Sequence, residues 1–566
     1  MGSTHVMTPS ARPPSQRAAG QGEPSLRQRI TAALFCPVDA AGLVYFRVAF
    51  YSLLLWEAWR FLTEDWIGFH FSGKSFYFFY WPFAFVRPWP GSGMTLHISA
   101  MAAVAVLAAV GLCYRISAAI FFFLITYVFL LERTLYLNHF YLVCLISFLM
   151  MFVPAHRDFS LDALRRPQWR TAVVPAWSLW LLRFQIAVPY FFGGIAKINA
   201  DWLRGEPLRA WLADRPDFPL LGPFFTNEVV VWAMTYGSLV LDLFVVFFLV
   251  SRRTRVFAYL AALVFHFMNS RLFHIGIFPW MMIAATALFF APDWPRRVLR
   301  DIKEGHPYRF PALLVGFAVG FLVGALIPGY FSWVQASVGG LGVALAAYHL
   351  DEPFLPAQQQ DTAARLKDAN WQRQEGKRRA ARSGAMSPAA PAASPRTLAL
   401  LGLWVAAQLL IPLRHFVIPG NVHWTEEGHD FSWHMMLRNK KGEGTLVVTD
   451  PATGEQWHVN LWEHLTLGQQ REMLKRPHLI VQFAHHLADQ LRKAGREDVE
   501  VRSRISVSLN GRTPQLIIDP DVDLAKVPYP WWGHADWILP LEVPLETAWE
   551  KQGTHSPPGA RLSVTE

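Results

Sequence analysis

Val173-Val-Pro-Ala-Trp-Ser-Leu-Trp-Leu-Leu-Arg-Phe-Gln-Ile-Ala-Val-Pro-Tyr-Phe-Phe-Gly-Gly-Ile-Ala-Lys197 decides how this chain is read. Arg183 is the only formal charge in the twenty-four residues from Val173 to Ala196. About 20 predominantly apolar residues in a helix cross the ~30 Å hydrocarbon core of a bilayer, so the stretch is membrane-spanning material. Lys197 then stands at the end of a span, where an ammonium is poorly solvated, next to Gly193 and Gly194, which leave space beside the helix. Desolvation disfavours the charged form of a lysine and offers a neutral amine as a general base. The competing reading is a snorkelling anchor beside Trp202.

Composition agrees with a membrane protein carrying a soluble part. With 53% hydrophobic and 17% charged residues, 24 Trp and 43 Phe, a chain of 566 residues is too apolar for an ordinary soluble protein. The formal charge of +10 falls largely in short segments between apolar runs. There it serves orientation and lipid headgroups rather than nucleic acid. Cys36, Cys113 and Cys144 lie in or beside apolar segments, so no disulfide framework and no cysteine metal spacing is expected.

Apolar runs suited to spanning helices occur at about 41–62, 95–113, 116–132, 139–154, 174–197, 228–250, 255–270, 274–291, 310–328, 331–349 and 398–414. The reading is an α-helical integral membrane bundle of about 9–11 membrane-embedded helices followed by an extracytoplasmic α+β domain rich in strands. Arg115, the 155–172 loop, 251–255, 296–303 and the 350–396 loop carry the basic excess that marks cytoplasmic connections, which places the N-terminus inside. The outer connections are then 63–94, Leu131–Asn138, 198–227, the Asn269–His274 turn and Pro328–Tyr330, and the last run exports the residues after His415.

The expected organisation is a disordered tail over 1–30 without the apolar core of a signal peptide, a helical catalytic domain over 31–349, a disordered linker over 350–396 and a last spanning helix over 397–415. An α+β domain over 416–545 and a flexible tail over 546–566 complete it. Within that domain Thr445–Thr449 and Val499–Leu509 alternate like strands, Asn510-Gly511 signals a tight turn before Gln515–Ile518, and 464–494 reads as helix.

Two candidate proton carriers converge on the outer face under this threading. His139, preceded by Asn138, opens the fourth run at its outer end, and Lys197 closes the fifth at the same end, followed by Asn199 and Asp201. A histidine capping a helix beside Asn138 is the bland alternative. His266, Asn269, Arg271 and His274 surround the next outer turn, where solvated polar residues are common. After the last run come Arg414, His415 and the polar-aromatic segment Asn421–Met436, which contains His423, Trp424, Glu426, Glu427, His429, Trp433 and His434. Its histidine spacings are not those of a zinc site, and it reads as an interfacial aromatic belt or the wall of a substrate groove.

These residues resemble vitamin K-dependent γ-glutamyl carboxylase. The resemblance rests on Arg183 through Lys197-Ile-Asn-Ala-Asp-Trp202, on Asn138-His139, on Asn421–Met436, and on Ser508–Arg512 with Ile518–Asp523, in order from about residue 30 to 545. It implies an integral-membrane enzyme that oxidises reduced vitamin K with O2 to the epoxide and uses the strong base so formed to carboxylate a peptide glutamate with CO2. By the same resemblance Lys197 matches the base that deprotonates the hydroquinone and His139 a histidine that stabilises the reacting species. Substrate-binding candidates are Asn138, Asn199, Asp201, Arg414, His415, Trp424, Trp433, His434, His266, Asn269 and His274. The implied partners are a glutamate-containing protein or peptide and the lipid bilayer, with no metal.

The chain departs from the family's animal members in two places. Ala196 stands where they carry a further lysine, and the cysteines here cannot make their disulfide to the luminal domain, which leaves docking to noncovalent packing. The absent signal peptide and short extracytoplasmic domain fit a bacterial homologue, in which a menaquinol would replace phylloquinol. The alternative is a related membrane protein that binds quinol or lipid, as an oxidoreductase or without catalysis.

Overall fold

A computed structural model describes residues 25–71, 74–273, 275–325, 332–350, 394–528 and 533–545. The first elements are α1 (Leu26–Phe35), β1 (Pro37–Asp39), α2 (Ala41–Thr63), α3 (Trp66–Phe71), α4 (Gly93–Val110), α5 (Tyr114–Leu130) and α6 (Asn138–Met150). Then come α7 (Leu161–Arg165), β2 (Val173–Pro175), α8 (Trp177–Ala196), α9 (Ala200–Leu203), α10 (Leu208–Ala213), α11 (Glu228–Val250) and α12 (Arg255–Leu272). The helical part closes with α13 (Phe278–Thr286), α14 (Trp294–Lys303), α15 (Arg309–Ala325), α16 (Ser332–Tyr348) and α17 (Pro395–Leu413).

Among the described residues each apolar run contains a helix, but length and composition separate them. Among the described residues five helices are long and apolar enough to cross a membrane: α2, α4, α8, α11 and α17 extended to Val417. α5, α6, α13 with its 3-10 continuation to Phe289, and α16 are shorter apolar helices, and α14 meets α15 at a bend of 108°. A loop of the C-terminal domain covers the start of the 13-residue α6: Trp433 is fully buried against Tyr141, ring centroids 5.2 Å apart. Residues 25–30, expected to be tail, begin α1, which a reciprocal Ser25–Gln28 capping box initiates. The expected tails over 1–24 and 546–566 and the linker over 351–393 lie outside the described residues.

Consecutive helices alternate between two faces. On one, Arg47 of α2 donates to the carbonyls of Ala109, Ala155 and Phe159, joining the ends of α4 and α6. There Asp162 accepts from the backbone N–H groups of Cys113 and Tyr114, each at 2.8 Å, and so caps α5 from a distant part of the chain. Arg183, the lone charge of α8, donates to the carbonyls of Leu288 and Phe290 at 2.8 and 2.9 Å, where the α13 segment ends and its carbonyls have no helical partner. The other face carries the start of α6, the ends of α8 and α12, and the C-terminal domain.

That domain is built on a four-stranded antiparallel sheet, ordered β4-β3-β5-β6, from β3 (Lys440–Thr449), β4 (Gln456–His458), β5 (Glu500–Leu509) and β6 (Gln515–Leu516). β3 and β5 pair from Lys440 opposite Leu509 to Thr449 opposite Glu500. Gly444 lies in β3 at φ +129°, where a Cβ would collide with the Arg504 carbonyl, so no other residue fits. Asn510 and Gly511 both take positive φ, 54° and 80°, and turn the chain toward β6.

The helix expected over 464–494 is two helices. α18 (Val422–Thr425), α19 (Leu467–Met473) and α20 (Pro477–Lys493) are the helices of this domain, and Pro477 both ends the preceding turn and opens α20 at its first position. Leu479, Ile480, Phe483 and Leu487 of α20 pack with Val501, Ile505 and Val507 of β5 in one core. Phe76 and Phe78, from the connection after α3, insert into that same core.

Candidate active site

Lys197 caps the C-terminal end of α8 and is 6% exposed. Its ammonium forms an ion pair with Asp242, 3% exposed, in the second half of the largely apolar α11. Gly194 makes this meeting possible. A Cβ there would come within 2.8 Å of the backbone nitrogen of Leu243, so α8 and α11 approach to a distance only glycine permits. A Cβ at Gly193 would stand 3.6 Å from Asp242 Oδ2 and 3.0 Å from Met435 Cε. The Nζ also lies 5.3 Å from the ring centre of Trp202 and 5.8 Å from that of Phe265, so aromatic faces supply what solvation the ammonium has beyond its carboxylate.

The pair lines a cavity of about 670 Å³ between α6, α8, α11, α12 and a loop of the C-terminal domain. His139, His266, Asn138, Asn269 and His434 line it too, so five of the residues singled out in the sequence share one space with Lys197. His139 has no hydrogen-bond partner among the described residues and packs its ring near Phe140 and Phe278. His266 is fully engaged on one side, Nε2 lying 2.6 Å from the Tyr190 hydroxyl. Asn138 ties the wall to the roof. Its amide donates to the His434 carbonyl at 3.1 Å, while its Oδ1 accepts from Tyr136, whose oxygen accepts from the Phe431 N–H.

The roof is the loop 426–436, in which Glu426, Phe431, Trp433 and Met436 all hold positive φ between 52° and 65°. Non-glycine residues adopt that region at a cost of about 1–3 kcal/mol each and persist only where surroundings over-determine them. Glu426 supplies one anchor, accepting from Arg438 at 2.6 and 2.7 Å and from Lys440 at 3.0 Å. Burial alone would raise its carboxyl, but Arg438 and Lys440 outweigh burial and hold it well below the usual range. Asp430 is a second anchor, paired with Arg133 at 2.9 Å and bound through its carbonyl by Arg414. Burial among neighbouring imidazoles holds His434 neutral, far below the ordinary histidine value.

Other candidates stand outside the cavity wall. Asn199 caps α9, accepting from Trp202 N–H at 2.9 Å. Asp201 faces Arg512 of the C-terminal domain. Arg414 and His415 secure the end of α17 to the roof, with His415 4.6 Å from the His434 ring. Trp424 is 1% exposed and donates to the Leu539 carbonyl, and Trp433 is 0% exposed, so neither forms a headgroup belt. His274 lies outside the described residues. Asp242 is the residue that reasoning from the sequence does not reach, although it is the only charge in α11 after Glu228, and an ionisable residue within an apolar span is by itself a functional signal. Among the described residues no group of three or more His, Cys, Asp or Glu is arranged to hold a metal ion.

Residues 35–294 match the HTTM domain, and residues 393–543 match the luminal domain of vitamin K-dependent gamma-carboxylase. Together these segments span nearly three quarters of the chain, in the order and at the places of the helical and strand-bearing parts. The chain belongs to the vitamin K-dependent γ-carboxylase family. No solved structure matches it. In this family member the cavity lies between the two matched domains: α6, α8, α11, α12 and α13 come from the first, the roof loop from the second.

Proposed function

We propose that the chain is a γ-glutamyl carboxylase that couples oxidation of a reduced vitamin K hydroquinone by O2 to its epoxide with carboxylation of a peptide glutamate by CO2. The observation that carries this reading is the buried Lys197 facing, with His139, a largely apolar cavity beneath a domain roof. Apolar walls with a few convergent polar groups suit an aromatic hydroquinone with an apolar tail. When bound, that cosubstrate supplies the strong base for glutamate deprotonation. Lys197 takes the proton of the hydroquinone hydroxyl, and His139, with no competing hydrogen-bond partner, steadies the oxygen that loses it. The walls exclude water that would otherwise quench a strong base.

The C-terminal domain lies on the extracytoplasmic side in this reading and the N-terminus in the cytoplasm, because Arg115, Arg157, Arg165, Arg166, Arg252 and Arg253 gather on the face opposite the cavity roof. The test is incubation of purified protein with reduced vitamin K, 14C-bicarbonate and a glutamate-rich peptide, beside Lys197→Ala. Label in the peptide that falls by roughly 10²-fold or more in the variant supports the reading, the scale of a lost general base. Epoxide without label under any glutamate peptide makes the protein a quinol oxidoreductase; neither product overturns both.

A further inference from the structure

The sequence marks one basic group at the centre of the cavity, but the structure holds two ionisable groups there in contact. Lys197 and Asp242 are buried, both line the cavity, and Asp242 has no other hydrogen-bond or ion-pair partner among the described residues. A carboxylate alone in an apolar helix is costly to keep, and here its single contact is the lysine. The two helices also approach at Gly194 so closely that the contact is built into the backbone. We infer that Asp242 is the positioning residue of Lys197 and that the proton-accepting unit is the Lys197–Asp242 pair rather than the lysine alone.

This rests on the carboxylase reading, in which Lys197 meets a hydroquinone hydroxyl. In the resting pair one N–H proton of the ammonium lies toward Oδ2, and lysine has no lone pair to offer. Passage of that proton to the carboxylate breaks an N–H bond, forms an O–H bond and leaves a neutral amine beside a neutral acid, with no change in net charge. The amine then takes the hydroxyl proton: the hydroquinone O–H breaks, a new N–H forms, the pair gains one positive charge and the hydroquinone one negative charge. Both protons are accounted for, and no other reagent is needed for the step. A pair that ends with opposite charge facing the new anion is stabilised in a cavity with little water.

Asp242→Asn separates the two duties. Without the carboxylate the Lys197 nitrogen loses its ion-pair partner and is free to react, so its acylation by an amine-reactive ester in the quinol-free protein at pH 7, measured by peptide mass spectrometry, rises by about tenfold or more. At the same time an amide cannot take the proton from the ammonium formed in each turnover, so the amine is not regenerated and hydroquinone turnover falls by roughly 10²-fold with little change in KM. Asp242→Glu keeps a carboxylate and restores low acylation with partial turnover. A merely structural Asp242 would lower both signals together or move neither. Equal acylation in wild type, Asp242→Asn and Asp242→Glu overturns the inference. Acylation that follows the expected order in a protein without epoxide or carboxylated product leaves the pair in place and sinks the carboxylase reading instead, so the two failures are distinct.

Discussion

Asp201 and Arg512 join the two domains through a bidentate ion pair: Nη2 donates to Oδ1 and Nη1 to Oδ2, both at 2.7 Å, and Asn510 adds a third donor at 2.7 Å. All three cysteines are free, so this pair, the Phe76–Phe78 insertion and the contacts of Gln469 with Glu132 hold the roof over Lys197 without a covalent link. Breaking one side of a buried pair costs about 3–5 kcal/mol because the other charge is left unpaired. Arg512→Ala is therefore expected to lower the thermal midpoint and expose the 418–439 segment to protease, while unchanged protease resistance would remove the pair from the docking role. Burial raises the Asp201 carboxyl, but hydrogen bonds from Arg512 and Asn510 outweigh it and the net direction is down. The stability it contributes is thus complete above the unfolded carboxylate range near pH 4 and is lost only as pH falls below that.

Gly194 tests the helix approach independently of chemistry. Adding one methyl where a Cβ meets Leu243 N at 2.8 Å forces α8 and α11 apart, at an overpacking cost of about 1–3 kcal/mol. Gly194→Ala is expected to reduce turnover more than Ala187→Gly on the same helix, because it also separates Lys197 from Asp242. Equal turnover in the two variants would contradict the close-approach argument.

An apolar tail has a route into the cavity from the bilayer. Ala233 and Gly237 of α11 and Ala261 and Val264 of α12 line the cavity and are exposed on the lipid-facing side, and a Cβ on Gly237 meets nothing within 4 Å. A seam of small residues between two apolar helices leaves room for such a chain to run outward from the site. Gly237→Trp should raise KM for a long-tailed hydroquinone by roughly tenfold, equivalent to about 1.4 kcal/mol, with kcat kept. A short-tailed analogue should be unaffected; an equal rise for both would place the tail elsewhere.

Much of this was legible because membrane physics is severe. An apolar run broken by one arginine announces a span, and a lysine at its end is conspicuous; the structure gives Arg183 its carbonyls and Lys197 its cavity. Asp242 was equally visible as the lone charge inside α11, but its partner sits 45 residues earlier and only helix packing brings the two together. Asp201 misled in the opposite sense. It lies four positions from Lys197, yet the turn of α9, fixed by the Asn199 cap, swings it toward Arg512, 311 residues away. Trp424 and Trp433 have the composition of an interfacial belt, and composition does not distinguish a tryptophan at headgroups from one packed on Tyr141.

Acidification provides the last test, because the roof buries imidazoles in contact. His434 lies 4.9 Å from His429 and 5.1 Å from His423, ring centre to ring centre. Burial, reinforced by neighbouring cations, lowers all three, His423 to about 3. With folded values below the unfolded value near 6.5, both states are neutral above that pH and the contribution is complete. As pH falls below about 6.5 the unfolded chain binds protons the fold refuses, and each imidazole removes about 1.4 kcal/mol per pH unit until its folded value is reached. Carboxylates such as Glu426 and Asp430, held well below their usual range, do not titrate in the fold until the pH is lower still, so these two anchors of the roof add nothing to the slope between about 6.5 and 4.5. The thermal midpoint should be flat from pH 7 to 7.5 and fall steeply through that window, and His423→Gln should shallow the slope. A midpoint that stays level to pH 5 would mean that the roof opens and solvates these rings in the folded protein.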